Sequence, residues 1–352
     1  MQAVPDDLIS RIQKIYQFCS VEEQQVLLKI LTELSETGES RTYEEVWLAD
    51  FKEIPVDKET RNRLVNFEEP VAVEDPILSE DEMEVLKLFI QERGMLDRFL
   101  EEDIVPPNSI LLHGKPGVGK TYISKWLSYK LNMPMVVLDL ANSISSYLGR
   151  SGQNIKSIFQ YAKEQNVILF LEEIDAIAKK RDDATDLGEL KRLVNVLLKE
   201  LEACPVTCVV IGATNHPELL DKAIWRRFDR NLEITMPEKE QRRMLLQRGM
   251  GKKYEEIDEG IIHMMVDGTY QMSAADICKM CEHIKRRSIV NPESSITSCM
   301  LKEFCEFVGV QTKEQKVMIC KALKRNCSKM SVNKISELTG ISTSSVDRYL
   351  KE

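Results

Sequence analysis

Residues Gly114 to Thr121 read GKPGVGKT, which matches the pattern GxxxxGK[ST]. The apolar run Ser109 to His113 comes directly before them, and the residues after them have the pattern of a helix. Between a strand and a helix, such glycines let backbone N–H groups turn inward around phosphates, and the lysine and hydroxyl suit terminal phosphates and Mg²⁺. A glycine-rich turn without a ligand is the plainer alternative. The predicted nucleotide-binding residues are Gly114, Lys115, Pro116, Gly117, Val118, Gly119, Lys120, Thr121 and Tyr122.

Short apolar runs alternate with helical segments around this loop, and this alternation predicts a parallel sheet covered by helices on both faces. The runs are Ser109 to His113, Pro134 to Asp139, Val167 to Leu171, Thr207 to Ala213 and Asn231 to Ile234. After Pro237 the pattern is helical only, which predicts a small helical lid. The fold class is therefore α/β, a P-loop NTPase with a three-layer parallel sheet, a lid, and helical modules at both ends.

The changes of pattern along the chain predict five segments. They are a helical N-terminal module (1–40), a linker arm (41–80), the α/β ATPase domain (81–236), the helical lid (237–310) and a helix-turn-helix-like module (311–352). In the last segment, Ser331 and Ser342 are predicted helix caps on either side of a turn at Gly340.

Composition excludes several classes of protein. Of the 352 residues, 43% are hydrophobic and 30% are charged, which is typical of a globular chain. No apolar run reaches the roughly 18 to 20 residues that span a bilayer, and the first ten residues carry acids where a signal peptide carries bases. The nine cysteines lack the spacing of a disulfide framework. We therefore expect a cytoplasmic protein without a membrane partner.

Charge is distributed unevenly along the chain. The net charge of −9 argues against a surface devoted wholly to nucleic acid, but residues 311–352 hold nine bases against four acids. This basic C-terminal segment leaves open a local interaction with DNA.

An acidic pair follows the third apolar run. Glu172 and Glu173 come directly after Val167 to Leu171, so their carboxylates are expected at the carboxyl edge of the sheet, beside the phosphate-binding loop. Glu172 is suited to orient hydrated Mg²⁺, and Glu173 is suited to polarise the attacking water as a general base. Acidic capping of the following helix is the alternative.

At this point the sequence resembles the AAA ATPases over about residues 100–290. The stretches that carry the resemblance are 171–178 (LEEIDAIA), 211–217 (IGATNHP), 221–230 (DKAIWRRFDR) and 273–276 (SAAD). The chain departs from the family pattern at Glu172, where the family has Asp, and at Ala274, where it has Gly. The longer side chain of Glu172 bears on Mg²⁺, whose near-octahedral geometry tolerates little displacement.

The resemblance implies a role for several residues. Asn215 would orient the attacking water, and Arg226 and Arg227 would reach the nucleotide of an adjacent subunit as arginine fingers. A ring, usually a hexamer, with ATP and Mg²⁺ at its interfaces is therefore implied. Tyr147 and Leu148 lie where the family carries a pore loop, and they would grip a polypeptide; an aromatic residue packed within its own loop is the alternative.

Three functions follow from these residues. The first is an ATP-hydrolysing, chaperone-like motor that remodels or unfolds a protein substrate. The second is a nucleotide-gated DNA-binding regulator, because Ser342 to Ser345 and Arg348 supply groups that reach phosphates and base edges, although a module of this shape also docks proteins. The third is a scaffold that binds ATP without useful hydrolysis, and it rests on Glu172 alone.

Overall fold

The computed structural model of the chain describes residues 54–57, 63–140, 151–176, 187–307, 313–326 and 330–351. The predicted N-terminal module (1–40) and the predicted pore residues Tyr147 and Leu148 lie outside these ranges. Within the described residues, no helix is both long enough and apolar enough to span a membrane.

Within the part of the chain that the structure describes, six strands form one sheet in the order β1-β3-β4-β5-β2-β6. The strands are β1 (Asn66–Glu68), β2 (Ser109–His113), β3 (Met135–Asp139), β4 (Ile168–Glu172), β5 (Val209–Thr214) and β6 (Arg230–Glu233). All neighbouring strands are parallel except β1, which pairs antiparallel with β3 at one edge. The predicted α/β fold is confirmed, with the difference that the sheet is mixed.

Strand β1 lies inside the stretch predicted as a linker arm. Its three residues are too short to show a period-2 pattern, and two of them, Asn66 and Glu68, are polar. Pairing with Val136 and its neighbours in β3, and not local propensity, therefore defines this strand.

Helices cover the sheet and then continue alone. In chain order they are α1 (Glu80–Arg93), α2 (Leu96–Glu101), α3 (Lys120–Leu131), α4 (Ser151–Glu164), α5 (Leu187–Glu202), α6 (Lys222–Trp225), α7 (Lys239–Met250), α8 (Glu259–Gly268), α9 (Ala274–Val290), α10 (Ile296–Phe307), α11 (Lys313–Asn326), α12 (Val332–Thr339) and α13 (Thr343–Lys351). Two of these helices begin with a reciprocal capping box from a serine, Ser79 at α1 and Ser273 at α9.

The sheet is buried on both faces. Successive residues of a strand point to opposite sides, so Leu111 and Leu169 pack in one hydrophobic core, while Ile110 and Phe170 pack in the other. This arrangement explains why the central strands are continuous apolar runs. Polar residues are therefore confined to the ends of these strands, among them the carboxyl ends at the edge that holds the site.

The lid has a core of its own, and the C-terminal helices share it. Met265 and Met280 of the lid belong to the same buried cluster as Leu323, Ile335 and Val346 of α11 to α13. The boundary at residue 311 stays a prediction. What the structure adds is that the last three helices pack on the lid across that boundary.

Candidate nucleotide-binding site

The loop from Gly114 to Gly119 connects β2 to α3. Its backbone conformation is unfavourable for residues other than glycine. Gly117 has φ +80° and Gly119 has φ +109°, values that residues with a Cβ atom rarely adopt. A Cβ atom on Gly117 would also lie 2.4 Å from the Ser273 hydroxyl oxygen of the lid. Glycine at 117 is therefore required both by the turn and by the close approach of the lid.

Lys120, the first residue of α3, is a buried cation against this loop. Its Nζ donates hydrogen bonds to the carbonyl oxygens of Gly114 (2.7 Å) and Lys115 (3.0 Å), and only 8% of the residue is exposed. Burial lowers the pKa of Lys120 to about 8, with Asp175 acting in the opposite direction. A phosphate group beside Nζ would stabilise the charged form, so the site fits a polyanionic ligand.

The two predicted Mg²⁺ ligands meet across the sheet edge. Thr121 is the second residue of α3, and its hydroxyl donates a hydrogen bond of 2.9 Å to the Glu172 carboxylate at the end of β4. One carboxylate and one hydroxyl are a donor set that suits Mg²⁺, because this ion is usually held by one or two protein oxygens together with phosphates and water. The residues present therefore fit the ion.

Glu173 and Asn215 line the same cavity from neighbouring loops. Glu173 has φ +53°, and its side chain is exposed. The buried carboxylate of Asp175 accepts hydrogen bonds from the Thr214 hydroxyl (2.9 Å) and the Asn215 backbone N–H (3.3 Å). Asp175 thus fixes the position of Asn215. Sequence reasoning assigned it no role, although a carboxylate three residues after Glu172 was a visible signal.

The cavity has a volume of about 460 Å³, within the usual range for a small-molecule site. Gly114 and Lys115 are outside its lining and contribute carbonyl oxygens to Lys120 instead. The remaining loop residues, from Pro116 to Tyr122, line it, and their binding of a nucleotide stays a prediction. Lining residues that sequence reasoning missed are Pro76, Ile77, Leu78, Ile123, Ala213, Leu245, Arg248, Ala274, Ala275 and Cys278.

The arm and the lid close this cavity from one side. The Tyr122 hydroxyl donates to the Glu74 carbonyl oxygen (2.8 Å), and the Arg248 guanidinium of α7 pairs with the Glu74 carboxylate (2.7 Å). Ile77 and Leu78 then supply an apolar wall. The prolines of the arm indicated only a connector, but the apolar residues directly before the cap Ser79 were a signal for packing against the domain.

Lid and loop are also joined directly. The Ala275 backbone N–H in the first turn of α9 donates to the Gly117 carbonyl oxygen at 2.9 Å. Any movement of the lid away from the sheet must break this hydrogen bond. The arrangement links the phosphate-binding loop to the position of the lid.

Arg226 and Arg227 are not among the residues that line the cavity of their own chain. Both are exposed, and Arg227 pairs with the Glu202 carboxylate at 3.2 Å on the surface. The loop that carries them is attached to the domain, because Phe228 is buried and Asp229 accepts hydrogen bonds from the backbone of Asn108 and Ser109. The side chains of Arg226 and Arg227 therefore lie on the surface, on a loop that is anchored to the domain.

Comparison with known proteins finds a family that matches the part of the chain that carries this site. Residues 110–236 match the family described as "ATPase family associated with various cellular activities (AAA)". An AAA family ATPase of Sinorhizobium fredii, y4kL, is 37% identical over 164 residues, which are 47% of this chain and 50% of that protein. A proteasome-activating nucleotidase of Methanothermobacter thermautotrophicus is 30% identical over 223 residues, 60% of this chain and 53% of that protein.

A solved structure gives the same result for the fold. The crystal structure of the FIGL-1 AAA domain is 20% identical, with a TM-score of 0.56, and the match covers 82% of this chain and 97% of that one. The chain spans about half the length of the curated relatives just described. The family resemblance seen in the sequence is confirmed by the match of residues 110–236 to the AAA ATPase family.

Proposed function

We propose that this chain binds ATP with Mg²⁺ at the loop Gly114 to Thr121, hydrolyses it within a homo-oligomeric ring, and uses the cycle to remodel a protein substrate in the cytoplasm. The observation that carries the proposal is one cavity in which Lys120, Thr121, Glu172, Glu173 and Asn215 converge within an AAA domain.

Binding is supported by the two halves of the cavity. Lys120 supplies positive charge for the phosphates, and backbone N–H groups at the start of α3 would add to it. Ile77, Leu78 and Leu245 supply an apolar surface for a flat heterocyclic base. A polar end and an apolar end in one cavity match the two ends of a nucleotide.

Hydrolysis is supported by the groups at the strand ends. Glu173 would accept a proton from the attacking water, and the Asn215 side chain would orient that water while Asp175 holds its backbone. Thr121 and Glu172 would hold Mg²⁺, which supplies charge neutralisation on the phosphate oxygens. Because Thr121 already reaches the longer Glu172 side chain at 2.9 Å, the two groups can share one ion despite the extra methylene.

Assembly is supported by the position of the arginines. Arg226 and Arg227 lie on the surface of this chain and away from its own cavity, where a group that acts on a neighbouring copy has to lie. An arginine supplied in this way is worth about 10³ to 10⁵ in rate in phosphoryl transfer. A closed ring, such as a hexamer, gives every cavity such a neighbour.

A protein substrate is supported by the relatives, one of which is named a proteasome-activating nucleotidase. Tyr147 and Leu148 remain the predicted residues for gripping a polypeptide.

A second candidate function is DNA binding by α11 to α13. In α13, Val346 and Tyr349 are buried against the preceding helices, while Thr343, Ser344 and Arg348 are exposed on the opposite face. An exposed polar face on the last of three packed helices, in a basic segment, is the arrangement of a helix that enters the major groove.

The pKa of Lys120 gives a first test. Without ligand its pKa is about 8, and bound phosphate raises it, so above that pH binding requires uptake of a proton. We expect the Kd for ATP to be insensitive to this group below about pH 8 and to rise above it, approaching tenfold per pH unit. Calorimetric titrations from about pH 7 to about pH 10 measure this, and the exposed Lys125→Ala should keep the dependence. A Kd that stays constant over this range would contradict the assignment.

The acidic pair gives a second test. Glu173→Gln should keep ATP affinity and lower steady-state phosphate release by about 10² to 10⁴-fold, because the amide keeps the shape and loses the base. Glu172→Gln should raise the Mg²⁺ concentration needed for half-maximal turnover. Glu218→Gln, an exposed carboxylate outside the cavity, is the matched control. Wild-type turnover in Glu173→Gln together with loss in Glu172→Gln would mean that the two roles are exchanged.

The arginines give a third test. Arg227→Ala should bind ATP almost normally and hydrolyse it poorly, because only the transition state loses a cation. Mixing it with Lys120→Ala should restore part of the activity, since some interfaces then join an intact loop to an intact Arg227. The control uses Arg286→Ala, which changes an exposed arginine of the lid. A mixture of Arg286→Ala with Lys120→Ala should have the same ATP turnover as a mixture of wild-type protein with Lys120→Ala. If the two mutants co-assemble by sizing and stay inactive, the role of Arg227 between subunits is wrong.

DNA binding is tested by its salt dependence. The affinity for a mixed-sequence DNA duplex should fall with salt, and Arg348→Ala should reduce the slope of log K against log salt by about one phosphate contact. Fluorescence anisotropy measures both, with Arg286→Ala as control. Equal slopes for wild type and Arg348→Ala would exclude α13 as the DNA-binding surface.

A further inference from the structure

The arm from Glu74 to Leu78 lies between the sheet domain and the lid. Leu78 packs against the hydrophobic core that contains Trp126 of α3, whereas Ile77 packs against the core of the lid. Both residues also line the cavity. A movement of the lid relative to the sheet therefore changes the contacts of the arm, and with them the apolar wall of the cavity.

Helix α3 holds the arm by three side chains. Tyr122, Trp126 and Lys130 are spaced four residues apart, so they lie on one face of the helix. The Tyr122 hydroxyl donates to the Glu74 carbonyl oxygen (2.8 Å). The Asp75 carboxylate accepts a hydrogen bond from the Trp126 indole N–H (2.9 Å) and pairs with Lys130 (3.1 Å). The arm is therefore attached to the sheet domain at several points.

The lid holds the same arm by an ion pair. The Nε atom of Arg248 in α7 lies 2.7 Å from the Glu74 carboxylate, and the side chains of Arg248 and Glu74 are 35% and 70% exposed. An ion pair that is exposed to water to this extent is weak. It can therefore break while the attachments of the arm to α3 persist.

The two partners of this ion pair differ in their relation to the cavity. Arg248 is one of the residues that line it, and Glu74 is not. A substitution of Glu74 thus removes the ion pair and leaves every side chain of the cavity wall unchanged. The role of the ion pair can therefore be separated from a direct contact between Arg248 and a ligand.

We propose that Glu74 and Arg248 are positioning residues, whose ion pair holds the arm and the lid together at the cavity and thereby slows the release of nucleotide. The pair acts through Ile77 and Leu78, which it keeps in place at the apolar end of the cavity. Control of release rests on the proposed binding of nucleotide at this cavity, but not on hydrolysis, ring assembly or a protein substrate.

The size of the effect follows from the exposure of the pair. If the lid and the arm have to separate before the nucleotide leaves, the ion pair adds its own free energy to the barrier for release. For an exposed pair this corresponds to a change of about two- to fivefold in the dissociation rate. Salt screens such a pair, so its contribution should decrease as ionic strength rises.

Stopped-flow displacement measures the dissociation rate. The protein is loaded with Mg²⁺ and the fluorescent nucleotide N-methylanthraniloyl-ADP, and is then mixed with excess unlabelled ADP. Glu74→Gln and Arg248→Gln should each release the probe about two- to fivefold faster than wild type. Arg243→Gln is the matched control, because Arg243 is also on α7 and pairs with the exposed Glu259, but does not line the cavity. This control should release the probe at the wild-type rate.

The double variant separates the ion pair from a direct effect of Arg248 on the nucleotide. If the ion pair is responsible, adding Glu74→Gln to Arg248→Gln should give no further increase in the dissociation rate, because the interaction is already lost. The rate should also rise more steeply with NaCl concentration in the wild type than in the double variant, since only the wild type has this ion pair to screen.

Two results would overturn the role of the ion pair. One is a wild-type dissociation rate in Glu74→Gln, even if Arg248→Gln releases the probe faster, because that pattern assigns Arg248 to a direct contact with the nucleotide. The other is independent, additive effects of the two substitutions.

ATP turnover of the wild type, measured beside these rates, distinguishes this proposal from the proposed function. A wild type that binds the probe and does not hydrolyse ATP would refute the ATPase function, while the dissociation rates would still decide the role of Glu74 and Arg248. A wild type that binds no probe would refute both.

Discussion

The buried ammonium group of Lys120 is the constraint around which the site is built. Removing a cation from water is costly, and here two backbone carbonyls, of Gly114 and Lys115, offset part of that cost. They reach Nζ because Gly117 and Gly119 let the loop fold back over the start of α3. One loop thus holds a buried cation at the edge of the cavity, where a polyanionic ligand would be favoured.

The parallel sheet brings the other groups to this charge. Strands β2, β4 and β5 are neighbours and run in the same direction, so the residues that follow them emerge at one edge. Thr121 therefore meets Glu172 across the sheet, and Asp175 after β4 binds Asn215 after β5. Gly212 in β5 allows Ile174 and Phe228 to pack against the strand, where a Cβ atom would come within 2.7 Å of both. The loop bearing Arg227 is thereby fixed by the same strand that positions Asn215.

The sequence predicted the parts that local pattern determines. The four central strands, β2 to β5, are apolar runs because they are buried on both faces, and the loop is encoded by the glycines and by Lys120 within a few residues. The parts that depend on distant partners were missed. Strand β1 exists through pairing with β3, the arm from Glu74 to Leu78 is placed by Tyr122 and Arg248, and Asp175 gains its role only when β5 lies beside β4. No local pattern reports such contacts.

Lid, sheet and arm meet at the cavity through specific contacts, which tie the position of the lid to the phosphate-binding loop. Ala275 of the lid is hydrogen bonded to Gly117, and Arg248 is paired with Glu74 of the arm. The chain entering the lid is held elsewhere, since the buried Arg242 donates to the carbonyl oxygens of Pro237 and Val266 and Glu82 accepts from Thr235. A rotation of the lid therefore has a fixed pivot beside residues 235–237 and breakable contacts at the cavity. Because α11 to α13 share the core of the lid, such a rotation carries the basic C-terminal helices with it. The fold thus connects the phosphate-binding loop to α13 through the packed helices of the lid.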